Sequence, residues 1–319
     1  MRRATALLAA ALLLAGVAGC GGDGAEPGAP QGVSLVLDFV PNAVHSGIYA
    51  AQRRGWYREA GIDLSVREPG ESTDAPKLLE AGRADFAILD IHDLGIARER
   101  GLDLVGVMPI VQRPLASVIA RSDEGAVRGP GDLEGRTVGV TGLPSDEAVV
   151  DSTVSADGGD PDRVRRVTIG FSAVSALAAG RVDAATGFWN AEAIALREQG
   201  VPIRIFKLDR YGAPSYPELV LTTSRDTLAR DPQLVDAIVA TTRRGYSLAA
   251  RDPDAALEDL LASVPGLDRD EQAAQLQVLR PALRPTPFDP RVLREWMAWD
   301  VEHGLLKRPL AIEDAFYLR

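Results

Sequence analysis

LLEAGRADFAIL, Leu78 to Leu89, and ALAAGRVDAATG, Ala176 to Gly187, carry one pattern twice, 98 positions apart. Each opens as an apolar helical turn, breaks at Ala-Gly-Arg, and resumes as a short run headed by an aspartate. Glycine enters the left-handed backbone region without a Cβ penalty, so a helix can reverse into a strand there cheaply. The spacing predicts one helix–turn–strand unit in each of two similar domains. Chance likeness between common αβ units is the competing reading.

Outward from these units the alternation continues. Val33–Phe39 reads as a β-branched strand ending at Pro41-Asn42, and Ser46–Glu59 as a helix with Ile48, Tyr49 and Ala51 on one stripe, closed by Gly61. Strands are expected at 62–66, 85–89 and 104–108, with helices at 75–81 and 94–100 between them. The pattern restarts at Arg136–Val140, followed by a helix from Ser145, a strand at 167–169, a helix at 172–179 and a strand at 182–186. Alternating strands and helices imply parallel pairing in an α/β layer fold. Two proline-stiffened stretches, PIVQRP (109–114) and YGAPSYP (211–217), read as crossings between the domains. Beyond Asp231 four helices are expected, at 233–249, 253–263, 269–279 and 290–303, covering the first domain. The expected architecture is an α/β, two-lobed clamp with a double crossover. Lobe I takes 33–112 and 218–319, and lobe II takes 113–217.

The first thirty residues predict the compartment. Met1-Arg2-Arg3 precedes an Ala/Leu run, Ala4 to Val17, too short for a permanent bilayer span but right for a signal peptide over 1–19. It ends in Val-Ala-Gly-Cys, which resembles the bacterial lipobox. That resemblance implies lipidation of Cys20; an ordinary signal peptide with a chance cysteine is the alternative. Several acyl chains anchor firmly where one does so only marginally. Residues 20–32, rich in Gly, Pro and Ala, read as a flexible tether.

Cys20 is the one cysteine in the sequence, which excludes intramolecular disulfides and cysteine metal clusters. Removing the leader takes Arg2 and Arg3 away and shifts the formal charge from −10 to −12. That balance argues against nucleic acid and against electrostatic adhesion to anionic lipid. His45, His92 and His303 are too scattered for a metal-ligand spacing, and neither a GxxxxGK[ST] loop nor a G-x-S-x-G elbow occurs. No catalytic residue, metal or cofactor is expected.

The opening LDFVPNAVHSGIYAAQRRGWYREAGIDL resembles the start of solute-binding proteins for thiamine pyrimidine precursors, a branch of the group that also binds sulfonates, nitrate and riboflavin. GLPSDEA (142–148), FWNAE (188–192) and LDRYGAPSYPELVL (208–221) point the same way, in family order over nearly the whole mature chain. The resemblance implies a lipid-anchored, monomeric clamp on the outer face of a bacterial cell membrane. It would present an aminopyrimidine, formylaminopyrimidine or hydroxymethylpyrimidine, to a permease and its ATPase. The family usually carries Trp where this chain has Phe39, and often Tyr where it has Phe188. Both changes keep an aromatic face and lose a polar tip.

A flat heteroaromatic with an exocyclic amine needs aromatic faces and acceptors aimed at the amine. Asp38 and Phe39 end the first strand, where open α/β sheets place ligands. Phe39 is assigned to stacking, and Asp38 to accepting from the amine or to a cap or interlobe bond. Asn42 and His45 can reach a ligand edge or cap the next helix, and Tyr49 suits stacking and core packing equally. In the second domain Ser145 is expected to cap its helix with its neighbours' N–H groups facing the cleft. Trp189 would cover a ring face beside Asn190. Glu192 would accept from the amine or pair with an arginine. Tyr216 serves ligand or hinge, and Glu218 is assigned to the hinge.

Three rivals remain. A fungal pyrimidine-precursor synthase resembles this fold and uses a lysine-bound pyridoxal phosphate, its own histidine and a cysteine-rich iron motif. Its lysine would fall near Leu89 and its histidine near Asp93, and no cysteine follows Cys20. Riboflavin or a sulfonate could occupy the same clamp, although acidic Asp38 and Glu192 disfavour anions. A lipid-anchored sensor would leave the paired strand-end motifs without a role.

Overall fold

The structure, a computed structural model, describes residues 29–69, 75–122 and 127–318. The leader, Cys20 and the tether up to residue 28 lie outside them. Ten strands form two five-stranded sheets. The first holds β1 (Gln31–Val36), β2 (Ile62–Arg67), β3 (Phe86–Asp90), β4 (Leu104–Pro109) and β10 (Leu219–Ser224), in the order β2-β1-β3-β10-β4. The second holds β5 (Ala116–Arg121), β6 (Thr137–Val140), β7 (Arg165–Thr168), β8 (Ala184–Phe188) and β9 (Ile203–Lys207), in the order β7-β6-β8-β5-β9. Position by position the two sheets match.

Parallel pairing holds for β1 with β2 and β3, and for β6 with β7 and β8. It fails for β10 and β5, each antiparallel to both neighbours. The sheets are mixed because these two strands directly follow the crossovers and so enter their sheets from the opposite end. Alternation alone could not show that.

The repeated segment folds twice alike. Helix α3 (Ala75–Glu80) and helix α6 (Ala173–Ala178) both end at a left-handed glycine, Gly82 with φ 63° and Gly180 with φ 64°. The arginine after each donates its backbone N–H to the helix, to Leu78 and Ala176 respectively. The aspartate then bonds back across the sheet. Asp85 Oδ2 accepts from Ser34 N at 2.8 Å, and Asp183 Oδ2 from Thr137 N at 2.8 Å.

Helix α1 (Ser46–Arg53) stops earlier than the stripe predicts. Gly55, with φ 73°, breaks the run and starts a short helix, α2 (Trp56–Glu59). Helix α4 (Ile91–Glu99) follows β3 without a linker, capped by Asp90, which accepts from His92 N at 2.7 Å. In the second lobe come α5 (Pro144–Ala156) and α7 (Glu192–Glu198).

The C-terminal part holds α8 (Arg225–Arg230), α9 (Pro232–Arg251), α10 (Pro253–Ser263), α11 (Arg269–Leu279), α12 (Pro290–Glu302) and α13 (Ile312–Ala315). Helices α9 and α10 pack on α1, and α13 on β4. Helix α11 also touches α7 of the second lobe. Where α1 crosses α9 two glycines face each other, and a Cβ on Gly245 would overlap the Gly47 carbonyl oxygen. Among the described residues no helix is long and apolar enough to cross a membrane.

Candidate functional site

Both sheets send the carboxyl ends of their parallel strands to one cavity of about 460 Å³. From the first lobe come Leu37–Phe39 and Asn42 after β1, and Leu89, Asp90, His92 and Asp93 at the junction of β3 with α4. From the second come Ser117 on β5, Thr141–Asp146 after β6, Phe171, Thr186–Phe188 at the end of β8, and Asn190–Glu192 after it. This is the ligand position for open α/β sheets, used here twice and face to face.

Asp38 lines the cavity, and its Oδ1 lies 2.9 Å from His45 Nε2. The other ring nitrogen, Nδ1, accepts from Asn42 N at 3.2 Å. His45 Nε2 therefore carries the hydrogen and donates it to Asp38. His45 is fully buried and positions Asp38 rather than reaching a ligand edge, which corrects the sequence reading. Asn42 lines the cavity too, but its side chain is engaged: Oδ1 accepts from Val44 N at 2.9 Å and Nδ2 donates to Val40 O at 3.0 Å. Tyr49 resolves to core packing, outside the cavity, where burial and then Glu68 push its phenol up to about 12.

Phe39 meets Phe171 from the opposite lobe edge-to-face, with ring centroids 5.0 Å apart and planes at 82°. The pair bridges the mouth between the lobes, with Phe171 partly exposed. Phe188 adds a further aromatic wall.

Glu192 lines the cavity at the start of α7, and its Oε2 accepts from Phe188 N at 2.9 Å. Burial pushes its carboxyl up to about 7, against those backbone bonds and with repulsion from Asp146 and Asp38 adding to the rise. Asn190 is only 1% exposed, and its Oδ1 has no partner among the described residues. Ser145 reaches the cavity from inside the first turn of α5 and does not cap it; the N-cap is Leu143, which has no side-chain bond to give. The local bonds are made by Asp146 instead, which accepts from Thr141 N at 2.7 Å and from the Thr141 hydroxyl. Ser117 donates its hydroxyl to Gly187 O at 2.7 Å, joining β5 to β8 beside the cavity.

Trp189 and Tyr216 are the larger corrections. Trp189 is 4% exposed, donates Nε1 to Pro114 O at 2.9 Å, and has Lys207 Nζ 3.7 Å above its ring. It braces the first crossover and is absent from the cavity wall. Tyr216 is fully buried, with its ring edge-on to His92 at 4.7 Å. It too belongs to the hinge.

Glu218 ties the two crossovers together. Its carboxylate accepts from Leu115 N and Ala116 N, while its backbone bonds to Ile91 and Val111. Beside it stand Asp90, His92 and Asp300, with His92 Nδ1 2.7 Å from Asp300 Oδ1. Burial pushes His92 down, but Asp300, with help from Asp90 and Glu218, overrides that and lifts it to about 10. Asp90, His92 and Glu218 could converge on a metal ion by distance. His92 Nδ1, however, is already engaged, 2.7 Å from Asp300 Oδ1 and 3.0 Å from Trp296 Nε1.

Asp90, Asp93, Asp146, Thr141 and Phe171 were missed from sequence. The rule that found Glu192, a residue just past a strand's carboxyl end, applies equally to Asp90 and Asp93. Phe171 lay in a loop with no periodic signal.

Two lobes with equivalent sheets, joined by two crossovers and closing on one cavity, define a periplasmic-binding-protein fold. The family model described as NMT1/THI5 like matches residues 42–256, and the chain belongs to that family. It is 31% identical over 294 residues to the formylaminopyrimidine-binding protein of Halalkalibacterium halodurans, covering 89% of each chain. It is 26% identical over 238 residues, 74% of each chain, to the 4-amino-5-hydroxymethyl-2-methylpyrimidine phosphate synthase of Legionella pneumophila. Among solved structures, the alkanesulfonate-binding protein SsuA from Xanthomonas axonopodis pv. citri superposes with a TM-score of 0.72. The match covers 91% of this chain and 99% of that one at 17% identity, a likeness of fold alone.

Proposed function

We propose that this chain is the solute-binding component of an ATP-driven importer and captures an aminopyrimidine precursor of thiamine, formylaminopyrimidine or hydroxymethylpyrimidine, between its lobes. One observation carries the reading. Phe39, Phe171 and Phe188 wall a cavity whose Asn190 Oδ1 and carboxylates are acceptors. Such a cavity suits a flat ring that donates N–H bonds. The match over most of both chains to a formylaminopyrimidine-binding protein supports the same ligand class. Cys20 would tether the monomeric clamp to the outer face of the membrane that holds its permease, with lobe boundaries near 112 and 218. Thioether-linked glycerol on Cys20, sought by mass spectrometry of the membrane-derived protein, tests the anchor.

Titration by calorimetry with the two pyrimidines, riboflavin and taurine tests the ligand. Heat from a pyrimidine alone is the expected result; binding of taurine and no pyrimidine sinks the assignment. The synthase reading has one observation in its favour, since Lys77 of α3 lines the cavity. By the family resemblance the synthase lysine would fall near Leu89 rather than on Lys77. Pyridoxal phosphate added to the protein should give no Schiff-base absorbance.

A further inference from the structure

On the hinge side of the cavity one histidine meets three carboxyl groups. Asp90 and His92 line the cavity, and Glu218 stands off its wall on the second crossover. A donor atom from each of these three lies within 4.8 Å of the other two. Asp300 is the fourth member, with its Oδ1 2.7 Å from His92 Nδ1.

Polar atoms in this cluster are left over. With Nδ1 engaged, His92 keeps Nε2, which is buried and has no hydrogen-bond partner among the described residues. Glu218 gives Oε2 to Leu115 N and Ala116 N, and its buried Oε1 has no partner either. The Tyr216 hydroxyl is in the same position, on a ring 4.7 Å from that of His92. His92 is 1% exposed and Glu218 0%, so bulk water does not reach them. A buried polar atom left in this state is costly unless a ligand meets it.

Charge points the same way. Burial holds the carboxyls of Asp90 and Glu218 above the usual range, Glu218 adds to the rise of Asp90, and His92 is the cation opposing both. One cation against three carboxyl groups leaves the cluster short of positive charge.

The geometry points to a divalent-metal site of the zinc class, formed by Asp90, His92 Nε2 and Glu218 Oε1 between the ligand cavity and the hinge. Imidazole nitrogen and carboxylate oxygen are donors that zinc takes at about 2.0–2.2 Å, so each side chain need move by less than about an ångström. Asp300 orients the imidazole and, by taking the Nδ1 hydrogen, leaves the Nε2 lone pair for the ion. In the ion-free chain His92 is itself the cation; the ion replaces the proton on Nε2. Because Glu218 holds the first crossover through Oε2, an ion on Oε1 joins the hinge to the cavity wall. The site stands apart from the pyrimidine reading, and neither depends on the other.

Zinc titrated into the protein, first stripped with a chelator, tests the site by nitrogen NMR of the imidazoles. The sequence has three histidines, His45, His92 and His303, so the signals can be told apart. One equivalent of zinc should move the Nε2 resonance of His92 and leave His45 and His303 in place. Calorimetry should give one site, weakened by about tenfold or more in Asp90→Asn and in Glu218→Gln. Both replacements keep an oxygen for the backbone N–H groups that the native side chain holds. An unmoved His92, a shift confined to His303, or undiminished affinity in both variants overturns the proposal. The wild-type spectrum needs no variant, so the test survives a misfolded mutant.

Discussion

The two lobes are built on one plan, yet they spend it differently at the strand ends. In both, an aspartate after a left-handed glycine pins the central strand: Asp85 to β1 and Asp183 to β6. In the first lobe β3 runs straight into α4, so Asp90 and Asp93 reach the cavity in the first helical turn. In the second, Trp189, Asn190 and Ala191 intervene between β8 and α7. The extra residues let Trp189 swing onto the crossover and leave Asn190 and Glu192 facing inward. The lesson is that a conserved scaffold sets where functional groups can stand, and a three-residue difference in linker length sets which ones do.

That comparison can be broken most forcefully at His92, the buried cation of the first lobe's junction. His92→Leu leaves Asp300, Asp90 and Glu218 without their counter-charge and should cost about 3–5 kcal/mol in urea unfolding. The wild-type pH profile gives the sign. Folding raises the His92 pKa from 6.5 to about 10, so the folded chain holds an extra proton between those values. Its stabilisation is complete below pH 6.5 and declines as pH rises toward about 10. Thermal melts across that window should show a falling Tm, and the decline should flatten in the variant.

Next in size, the paired aspartates measure how equal the two units are. Asp85 also accepts from the Ser34 hydroxyl at 2.7 Å, whereas Asp183 has a more distant Arg136 at 3.7 Å. Asp85→Ala should therefore destabilise by about 2 kcal/mol and Asp183→Ala by about 1 kcal/mol, read from urea midpoints. Equal losses would mean that the shared backbone bond carries the whole effect.

Smaller still is the aromatic pair across the mouth. Phe171→Ala removes the edge-to-face partner of Phe39 and should weaken pyrimidine binding by about 0.5–1.5 kcal/mol, measured by calorimetry. The smallest change is expected at Trp189. Trp189→Phe lies off the cavity wall and should alter pyrimidine affinity less than about twofold, on the usual scale for sites away from contacts. A tenfold loss would return Trp189 to the ligand and undo the lobe comparison.

Local chemistry made much of this legible in the sequence. The Ala-Gly-Arg-x-Asp units, the strand and helix alternation and the crossover prolines each depend on neighbours along the chain. So did the placing of Asp38, Phe39, Asn190 and Glu192, because the carboxyl end of a strand is visible from pattern alone. Tertiary structure decided the rest. Strands β5 and β10 run antiparallel because each arrives from the other lobe. His45, Tyr49, Trp189 and Tyr216 are equally aromatic in sequence, but packing on their far side sends all four away from the cavity. The remaining decision was His92. Whether a buried nitrogen has a partner depends on which groups the opposing elements bring near it, and no spacing within α4 reports that.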